Sequence, residues 1–181
     1  FFLEEGIAYN GIKAKHIIFA EGFGMHQNPY FNFLPLDGTK GELFIIKAPN
    51  LTIDVIVNTS VFILPLGDGL FKVGATYNWK DKTDLPTSDG KEELIARIKE
   101  IISCEFEVIE HFAGVRPTVR DRRPLVGTHD AYSQLHILNG LGTRGVMLGP
   151  SMAKALYNNI EHQLPLSDEI NWNRYLKKFR K

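Results

Sequence analysis

Residues 41–75 are short apolar runs separated by tight turns, and this pattern constrains the fold more than any other part of the chain. Residues 41–47 and 52–57 each predict a strand, and residues 60–66 and 70–75 predict a hairpin around the turn Gly67-Asp68-Gly69. Successive strands joined by such short turns pair antiparallel. The middle of the chain is therefore predicted to be an antiparallel β-sheet.

One amphipathic helix is predicted after this sheet. Asp89, with Glu92 three residues later, is typical of a helix start. The helix carries one apolar stripe at helical spacing, made of Leu94, Ile95, Ile98, Ile101 and Ile102. A single stripe predicts a helix that covers one face of the sheet.

The outer parts of the chain predict further strands and helices. Asn10-Gly11 is typical of a two-residue hairpin turn, and the apolar run 16–20 predicts a strand buried on both faces that opens into a ligand crevice. Strands are also expected at 107–119 and 135–139. Helices are expected from Pro150 to about residue 161 and over residues 170–179.

Composition excludes several classes of protein. Lys plus Arg and Asp plus Glu number 21 each, so no overall charge favours nucleic acid or an acidic membrane as a partner. The single cysteine, Cys104, excludes an internal disulfide and indicates a reducing, cytoplasmic location. No apolar run reaches the roughly 20 residues that span a bilayer. The six histidines lack metal-ligand spacing, so no metal site is expected.

Three glycine-containing motifs follow one another along the chain. They are Pro65-Leu66-Gly67-Asp68-Gly69 with Val73-Gly74-Ala75-Thr76, then Gly114-Val115-Arg116-Pro117, then Gly142-Thr143-Arg144-Gly145-Val146-Met147-Leu148-Gly149-Pro150. In this order and spacing they resemble the FAD-dependent amine and amino-acid oxidoreductases of the D-amino-acid oxidase family, which includes glycine oxidase and sarcosine oxidase. The resemblance implies FAD as cofactor and oxidation of the C–N bond of an amino acid or secondary amine.

The resemblance also implies an α+β fold in two regions. Residues 31–119 are expected to form a mainly antiparallel β substrate domain with a covering helix. Residues 1–30 and 120–165 are expected to be parts of a FAD-binding α/β domain, with 166–181 as a C-terminal helix or tail. Members of the family begin with a strand, a G-x-G-x-x-G turn and a helix that hold the ADP moiety. No such segment precedes Phe1, so the N-terminal half of that domain is expected to be absent and to be a partner of this chain.

Four residues are predicted to bind a small amine or amino-acid substrate. Arg116 offers the planar pair of donors that matches a carboxylate, although a structural ion pair would also explain an arginine there. By resemblance, Arg144 is a second carboxylate ligand or a solvated loop arginine, and Tyr77 faces the substrate. Phe62 falls where the family has a tyrosine and is either a pocket residue or ordinary core. The lost hydroxyl favours a substrate larger than glycine.

The flavin is expected to lie against backbone rather than charged side chains. Glycines let the chain approach the ring, and N–H groups ahead of a helix N-terminus suit the negative charge of a reduced flavin. The predicted cofactor-binding residues are Gly22, Gly142, Thr143, Arg144, Gly145, Val146 and Met147. Residues 140–145 also spell G-x-G-x-x-G. A nicotinamide site is rejected because the helix is expected to begin nearer Pro150 and no acidic-ended strand follows.

Lys40, residues 120–123 and the chain as a whole each allow more than one interpretation. Lys40, in the Lys40-Gly41-Glu42 run, is expected on the surface, the alternative being a role in oxygen activation. The run Arg120-Asp121-Arg122-Arg123 resembles one in a tRNA-modifying flavin oxidase domain, which adds a modified nucleoside to the possible substrates although nucleic acid is not the expected partner. The chain by itself is alternatively a substrate-binding or interaction module without catalytic activity.

Overall fold

A computed structural model describes residues 2–3 and 6–176 of the chain. The strands, in chain order, are β1 (Phe2–Leu3), β2 (Gly6–Tyr9), β3 (Ile12–Ala14), β4 (Ile17–Phe19), β5 (Thr39–Lys47), β6 (Val57–Asn58), β7 (Phe62–Gly67), β8 (Leu70–Gly74), β9 (Glu107–Arg116), β10 (Leu125–Thr128) and β11 (Leu135–Asn139). The helices are α1 (Ser88–Lys99) and α2 (Gly145–His162), with 3-10 helices at Gly22–Gln27, Gly142–Arg144 and Trp172–Tyr175.

The chain divides into two compact units. One is Thr39–Arg116, and the other comprises the described residues of Phe1–Gly38 and Pro117–Lys181. The sequence placed these boundaries at 30/31 and 119/120. In the structure the boundaries fall at 38/39 and 116/117. They lie there because Thr39 and Arg116 pair with each other at the ends of β5 and β9.

The unit Thr39–Arg116 is built on one antiparallel sheet of five strands in the order β6-β7-β8-β5-β9. Helix α1 covers one face, where Leu94 and Ile98 are fully buried against Phe44 and Ile46. The predicted antiparallel sheet, its covering helix and the hairpin of β7 and β8 are confirmed.

Two details of this unit differ from the prediction. Helix α1 is capped by Thr87, whose Oγ1 accepts a hydrogen bond from Gly90 N at 3.0 Å, and Asp89 lies in the first turn. The predicted strand 52–57 is wrong, since only Val57 and Asn58 pair with β7. Val55 and Ile56 are exposed, so an apolar run between turns did not suffice to place a strand here.

The other unit contains two three-stranded sheets, β1-β2-β3 and β10-β11-β4. The hairpin at Asn10-Gly11 is confirmed: both residues have positive φ, and Tyr9 pairs with Ile12. Strand β4 runs parallel to β11, but Ile18 is 51% exposed, so the prediction of burial on both faces is wrong. Side chains of a strand point to the two faces of the sheet, and within the described residues nothing packs closely enough over Ile18 to bury it on its face.

Helix α2 begins at Gly145, earlier than predicted. Pro150 lies inside it, where the missing N–H removes one bond, to the carbonyl of Val146. The helix therefore does begin within the G-x-G-x-x-G run, and that reason for rejecting a nicotinamide site fails. The second reason stands, because no named strand follows α2 in the described part of the chain.

The segment after α2 packs onto its own unit. Trp172 is buried, and its Nε1 donates to Thr128 O at 2.8 Å. In place of the predicted helix over 170–179, a 3-10 helix spans Trp172–Tyr175, and residues 177–179 lie outside the described residues. Within those limits, no helix has both the length and the apolar character needed to cross a bilayer.

A histidine pair links the three strands of the β10-β11-β4 sheet. His136 is buried on β11, its Nδ1 lies 2.9 Å from Thr128 Oγ1, and its Nε2 lies 2.9 Å from His16 Nδ1. Burial, together with the positive charge of His16 when protonated, lowers the pKa of His136 from 6.5 to about 4. The folded state therefore holds this ring neutral.

We expect acid to destabilise this sheet through His136. Between pH 6.5 and about 4 the unfolded chain binds a proton that the folded chain does not, so stability falls as pH falls, by at most about 1.4 kcal/mol per pH unit. Urea unfolding from pH 7 to pH 5 should show a smaller fall in the His136→Gln variant. The control is His26→Gln, at an exposed position. Equal falls in the wild type and His136→Gln would contradict the role of His136.

Candidate functional site

A short segment after β8 runs antiparallel to the start of β5 and fixes the position of Tyr77. Lys40 N donates to Asn78 O and Asn78 N donates to Lys40 O, both at 2.9 Å. One step along, Thr76 N donates to Glu42 O at 3.2 Å and Glu42 N donates to Thr76 Oγ1 at 2.9 Å. This register places Tyr77 directly opposite Gly41.

Gly41 provides the space that Arg116 occupies. A β-carbon at position 41 would overlap the guanidinium group of Arg116, which lies across the backbone of β5 at this point. Glycine inside a strand often marks such a close approach. The absence of a side chain at position 41 of the neighbouring strand therefore leaves room for the Arg116 guanidinium.

The guanidinium of Arg116 is held by two further contacts. Its Cζ lies 4.6 Å from the centroid of the Tyr77 ring, and its Nη1 donates to Thr76 O at 3.3 Å. Burial lowers the pKa of Arg116 below its usual 12.5, yet an arginine keeps its charge in proteins. The site thus presents an oriented, partly desolvated positive charge next to an aromatic ring that is 59% exposed.

The sheet face that carries Arg116 also carries a cavity. The cavity of about 280 Å³ is lined by Gly41, Leu43, Phe112, Ala113, Gly114, Val115 and Arg116. Gly41 and Gly114 pair directly across β5 and β9. A β-carbon at position 114 would meet nothing within 4 Å. Apart from Arg116, the lining consists of apolar side chains and backbone.

Phe62 extends the same face toward β7. It is half-buried and pairs with Gly74, where a β-carbon would lie 2.9 Å from Leu43 Cβ and 3.2 Å from Phe62 Cε1. The structure therefore brings Phe62, Tyr77 and Arg116 to one face of the sheet, opposite to the face that α1 covers. Of the four predicted substrate residues, these three share a unit and a surface.

Lys40 is buried beneath this face, and the prediction that it lies on the surface is wrong. Its side chain is 0% exposed, and Nζ donates to Asp81 Oδ2, to Leu85 O and, at 3.3 Å, to Thr83 Oγ1. Hydrogen bonds from Lys40, which has the largest effect, and from Thr83 lower the pKa of Asp81 to about 2. The charge of Lys40 is buried because residues 81–85 surround it with acceptors.

Glu42 is the second buried charge on β5. Its Oε1 lies 3.7 Å from Lys40 Nζ, and its carboxylate accepts hydrogen bonds from Thr87 N at 2.9 Å and Thr87 Oγ1 at 2.7 Å. His111 Nε2 lies 2.8 Å from Glu42 Oε2 without hydrogen-bond alignment. Because Thr87 caps α1, Glu42 ties the start of that helix to β5.

The predicted cofactor residues lie in the other unit, at one edge of the β10-β11-β4 sheet. Gly22 follows β4 and Gly142 follows β11, and these strands are parallel, so both loops leave from the same edge. Ligands of α/β sheets bind at the carboxyl ends of the strands. Asn139 joins the two loops: its Nδ2 donates to Gly22 O at 2.9 Å and its Oδ1 accepts from Gly140 N at 2.8 Å.

The backbone at this edge fits a flat ring that carries negative charge. Gly22 has φ of 59°, and a β-carbon there would meet nothing within 4 Å. The first N–H groups of α2 have no partner within the helix, and no acidic residue lies in its first turn. Val146 is 99% exposed, and Met147 is also exposed. The assignment of Gly22, Gly142, Thr143, Gly145, Val146 and Met147 to backbone contacts with a flavin stays a prediction.

Arg144 is exposed in this loop, and its Nη2 donates to Arg122 O at 3.2 Å. It belongs to a different unit from Arg116. Its assignment to substrate or cofactor stays a prediction.

Several residues of the site were missed by the sequence interpretation. Leu43 and Phe112 line the cavity, and Asn139 joins the two loops. A signal existed for the cavity: Gly74 and Gly114 lie inside predicted strands and Gly41 begins one, and glycine in a strand often marks a close approach by another group. No signal in the sequence identified Asn139.

Comparison with known proteins identifies a family for most of the chain. Residues 4–158 match the family described as FAD dependent oxidoreductase, DAO. The glycine oxidase of Bacillus subtilis strain 168 is 24% identical over 176 residues, which is 93% of this chain and 46% of that protein. A bifunctional protein of tRNA 5-methylaminomethyl-2-thiouridine biosynthesis from Marinobacter nauticus is 24% identical over 168 residues, 84% of this chain and 27% of that protein.

A solved structure shows the same fold. Iminodiacetate oxidase from Chelativorans sp. BNC1 superposes with a TM-score of 0.77 at 26% identity, covering 88% of this chain and 47% of the other. The chain therefore spans less than half the length of these similar proteins.

We expect Gly41→Ala to move Arg116 while leaving the fold intact. The added methyl group meets the end of a flexible side chain rather than backbone, so the guanidinium should leave Tyr77. A crystal structure of the variant should place Cζ more than about 6 Å from the Tyr77 centroid, beyond the range of a cation–π contact. In the control Gly114→Ala, Arg116 should stay in place. An unmoved Arg116 in Gly41→Ala would show that Gly41 does not seat it.

Proposed function

Because the chain belongs to the family of FAD-dependent oxidoreductases, we propose that the protein containing it oxidises the C–N bond of an amine that carries a carboxylate. The substrate is an amino acid or a secondary amine. The observation that carries the proposal is Arg116, seated over Gly41 against Tyr77 at the mouth of an apolar cavity. Two of the similar proteins are named as oxidases of glycine and of iminodiacetate, which are both amines with a carboxylate.

The role of Arg116 is to orient the substrate. A guanidinium binds a carboxylate through two parallel hydrogen bonds, which fix both the position and the plane of the carboxylate. Partial burial strengthens this attraction, because water screens it less. With the carboxylate fixed, the carbon that bears the nitrogen is held in one orientation, and such orientation accounts for much of the rate of a two-reactant step.

Tyr77 and Phe62 shape the same surface. Tyr77 packs on the guanidinium and limits the directions it can take, and Phe62 presents an apolar edge where a hydroxyl would offer a polar contact. When bound, FAD supplies the acceptor for the hydrogen and electron pair that leave the carbon as the C–N bond becomes C=N. Gly22 and residues 142–147 would hold the flavin, and Arg144 is the proposed second carboxylate ligand.

The remaining part of the holoenzyme is proposed to lie outside this chain. The chain spans 46% of the glycine oxidase it resembles, and the resemblance implies a separate segment that holds the ADP moiety. Flavin binding therefore has to be measured on the full-length protein.

Anaerobic reduction of the flavin tests the proposed function. We expect amino acids and N-alkyl amino acids to bleach the flavin absorption of the full-length protein. In Arg116→Ala the substrate concentration for half reduction should rise by at least about a hundredfold, since two hydrogen bonds are lost and each one to a charged group is worth about 1.5–3 kcal/mol. Arg116→Lys should recover only part of this loss, because lysine cannot bind a carboxylate through a planar fork.

The matched control is Arg97→Ala, on α1, where the arginine pairs with Glu93 and lies on the covered side of the sheet. It should leave the half-reduction concentration unchanged. A flavin that carboxylate-bearing amines reduce equally well in the wild type and Arg116→Ala would contradict the assignment of Arg116. A full-length protein that binds no flavin would favour the module without catalytic activity.

A modified nucleoside is a second candidate substrate. The similar protein from Marinobacter nauticus is named for the biosynthesis of a tRNA nucleoside, and Arg120, Arg122 and Arg123 are exposed next to each other. A nucleoside with a carboxymethylamino group carries the same amine and carboxylate, so it belongs in the same titration. Reduction by this nucleoside alone would select the nucleoside over free amino acids.

A further inference from the structure

The cavity beside Arg116 has a floor made of backbone. Gly41 and Gly114 face each other across β5 and β9, and Leu43 and Phe112 pair one step along on the same face. The guanidinium occupies the space above Gly41. The space above Gly114 therefore lies beside the guanidinium.

Nothing in the described structure fills the space above Gly114. A β-carbon there would have no atom within 4 Å, in contrast to positions 41 and 74 on the same face. The side walls are Leu43 and Phe112, and Phe112 is partly exposed although it is aromatic. Open apolar space beside a fixed cation suits a ligand with a charged end and an apolar end.

We infer that this space receives the apolar substituent of the substrate and that Gly114 determines how large that substituent can be. The inference rests on the proposed function and deepens it, since it assigns the substrate class as carboxylates with a branched or aromatic apolar group. Arg116 binds the carboxylate, and Gly114, Leu43 and Phe112 surround the substituent.

The geometry separates the two contributions to binding. Binding of the carboxylate depends on Arg116, and every substrate of the class carries this carboxylate. Binding of the apolar group depends on the open space above Gly114. Each methylene group buried there should raise the affinity about fourfold. A side chain at position 114 should therefore weaken long ligands and spare short ones.

Three carboxylate probes test this inference by calorimetry on the full-length, FAD-loaded protein: acetate, 3-methylbutanoate and phenylacetate. We expect the wild type to bind 3-methylbutanoate and phenylacetate at least tenfold more tightly than acetate, in keeping with the burial of two or more methylene equivalents. In Gly114→Val this difference should shrink to about twofold or less, with acetate affinity nearly unchanged. Valine suits a strand, and Gly114 has no positive φ, so the fold should persist.

Two variants make the result interpretable. Glu107→Val places the same side chain at an exposed position of β9 outside the cavity, in place of a glutamate. It should leave all three affinities as in the wild type. Gly114→Ala, a smaller change, should give an intermediate loss for phenylacetate and confirms the effect if Gly114→Val unfolds.

The outcomes distinguish this inference from the proposed function. Equal affinity for acetate and phenylacetate in the wild type, or an equal loss of all probes in Gly114→Val and Gly114→Ala, would overturn the substituent site while leaving the Arg116 assignment intact. Probe binding that survives Arg116→Ala would contradict the carboxylate ligand itself. A protein that binds none of the three probes would overturn both.

Discussion

The register between β5 and the segment that follows β8 is the constraint on which the rest of the site depends. Hydrogen bonds between Lys40 and Asn78 and between Glu42 and Thr76 place Tyr77 opposite Gly41. Side chains alternate along a strand. The outward residue of this run is therefore the glycine that makes room for Arg116, and the two inward residues are charged. A shift by one residue would put a charged side chain where the guanidinium lies.

The two inward charges explain why this register is held firmly. Lys40 is buried and surrounded by acceptors from residues 81–85, and Glu42 accepts two hydrogen bonds from the residue that caps α1. Buried charges are costly unless they keep their partners. Strand β5, the loop after Tyr77 and the start of α1 are thus stabilised together. The buried residues Lys40 and Glu42 fix the position of Tyr77, although its own ring is exposed.

Much of this fold could be predicted from local patterns, because antiparallel strands, tight turns and an amphipathic helix each leave a short-range signal. Features that depend on residues distant in the sequence could not be predicted in this way. Lys40 has its acceptor Asp81 41 residues away, so nothing near it in the sequence indicated burial. Val55 and Ile56 are exposed because no described strand pairs with residues 52–56, and Ile18 is exposed because nothing in the described part of the chain packs closely over its side chain.

The candidate site shows the same division. Arg116 and Tyr77 were found through motifs that resemble a family, whereas the cavity depends on two strands, β5 and β9, that are distant in the sequence and pair in the fold. A crystal structure of the full-length, FAD-loaded protein with bound phenylacetate would show directly which groups bind each end of the ligand. We expect the carboxylate on the Arg116 guanidinium and the phenyl ring above Gly114, between Leu43 and Phe112. A carboxylate bound away from Arg116, or a ring that leaves the space above Gly114 empty, would rule out the proposed mode of substrate binding.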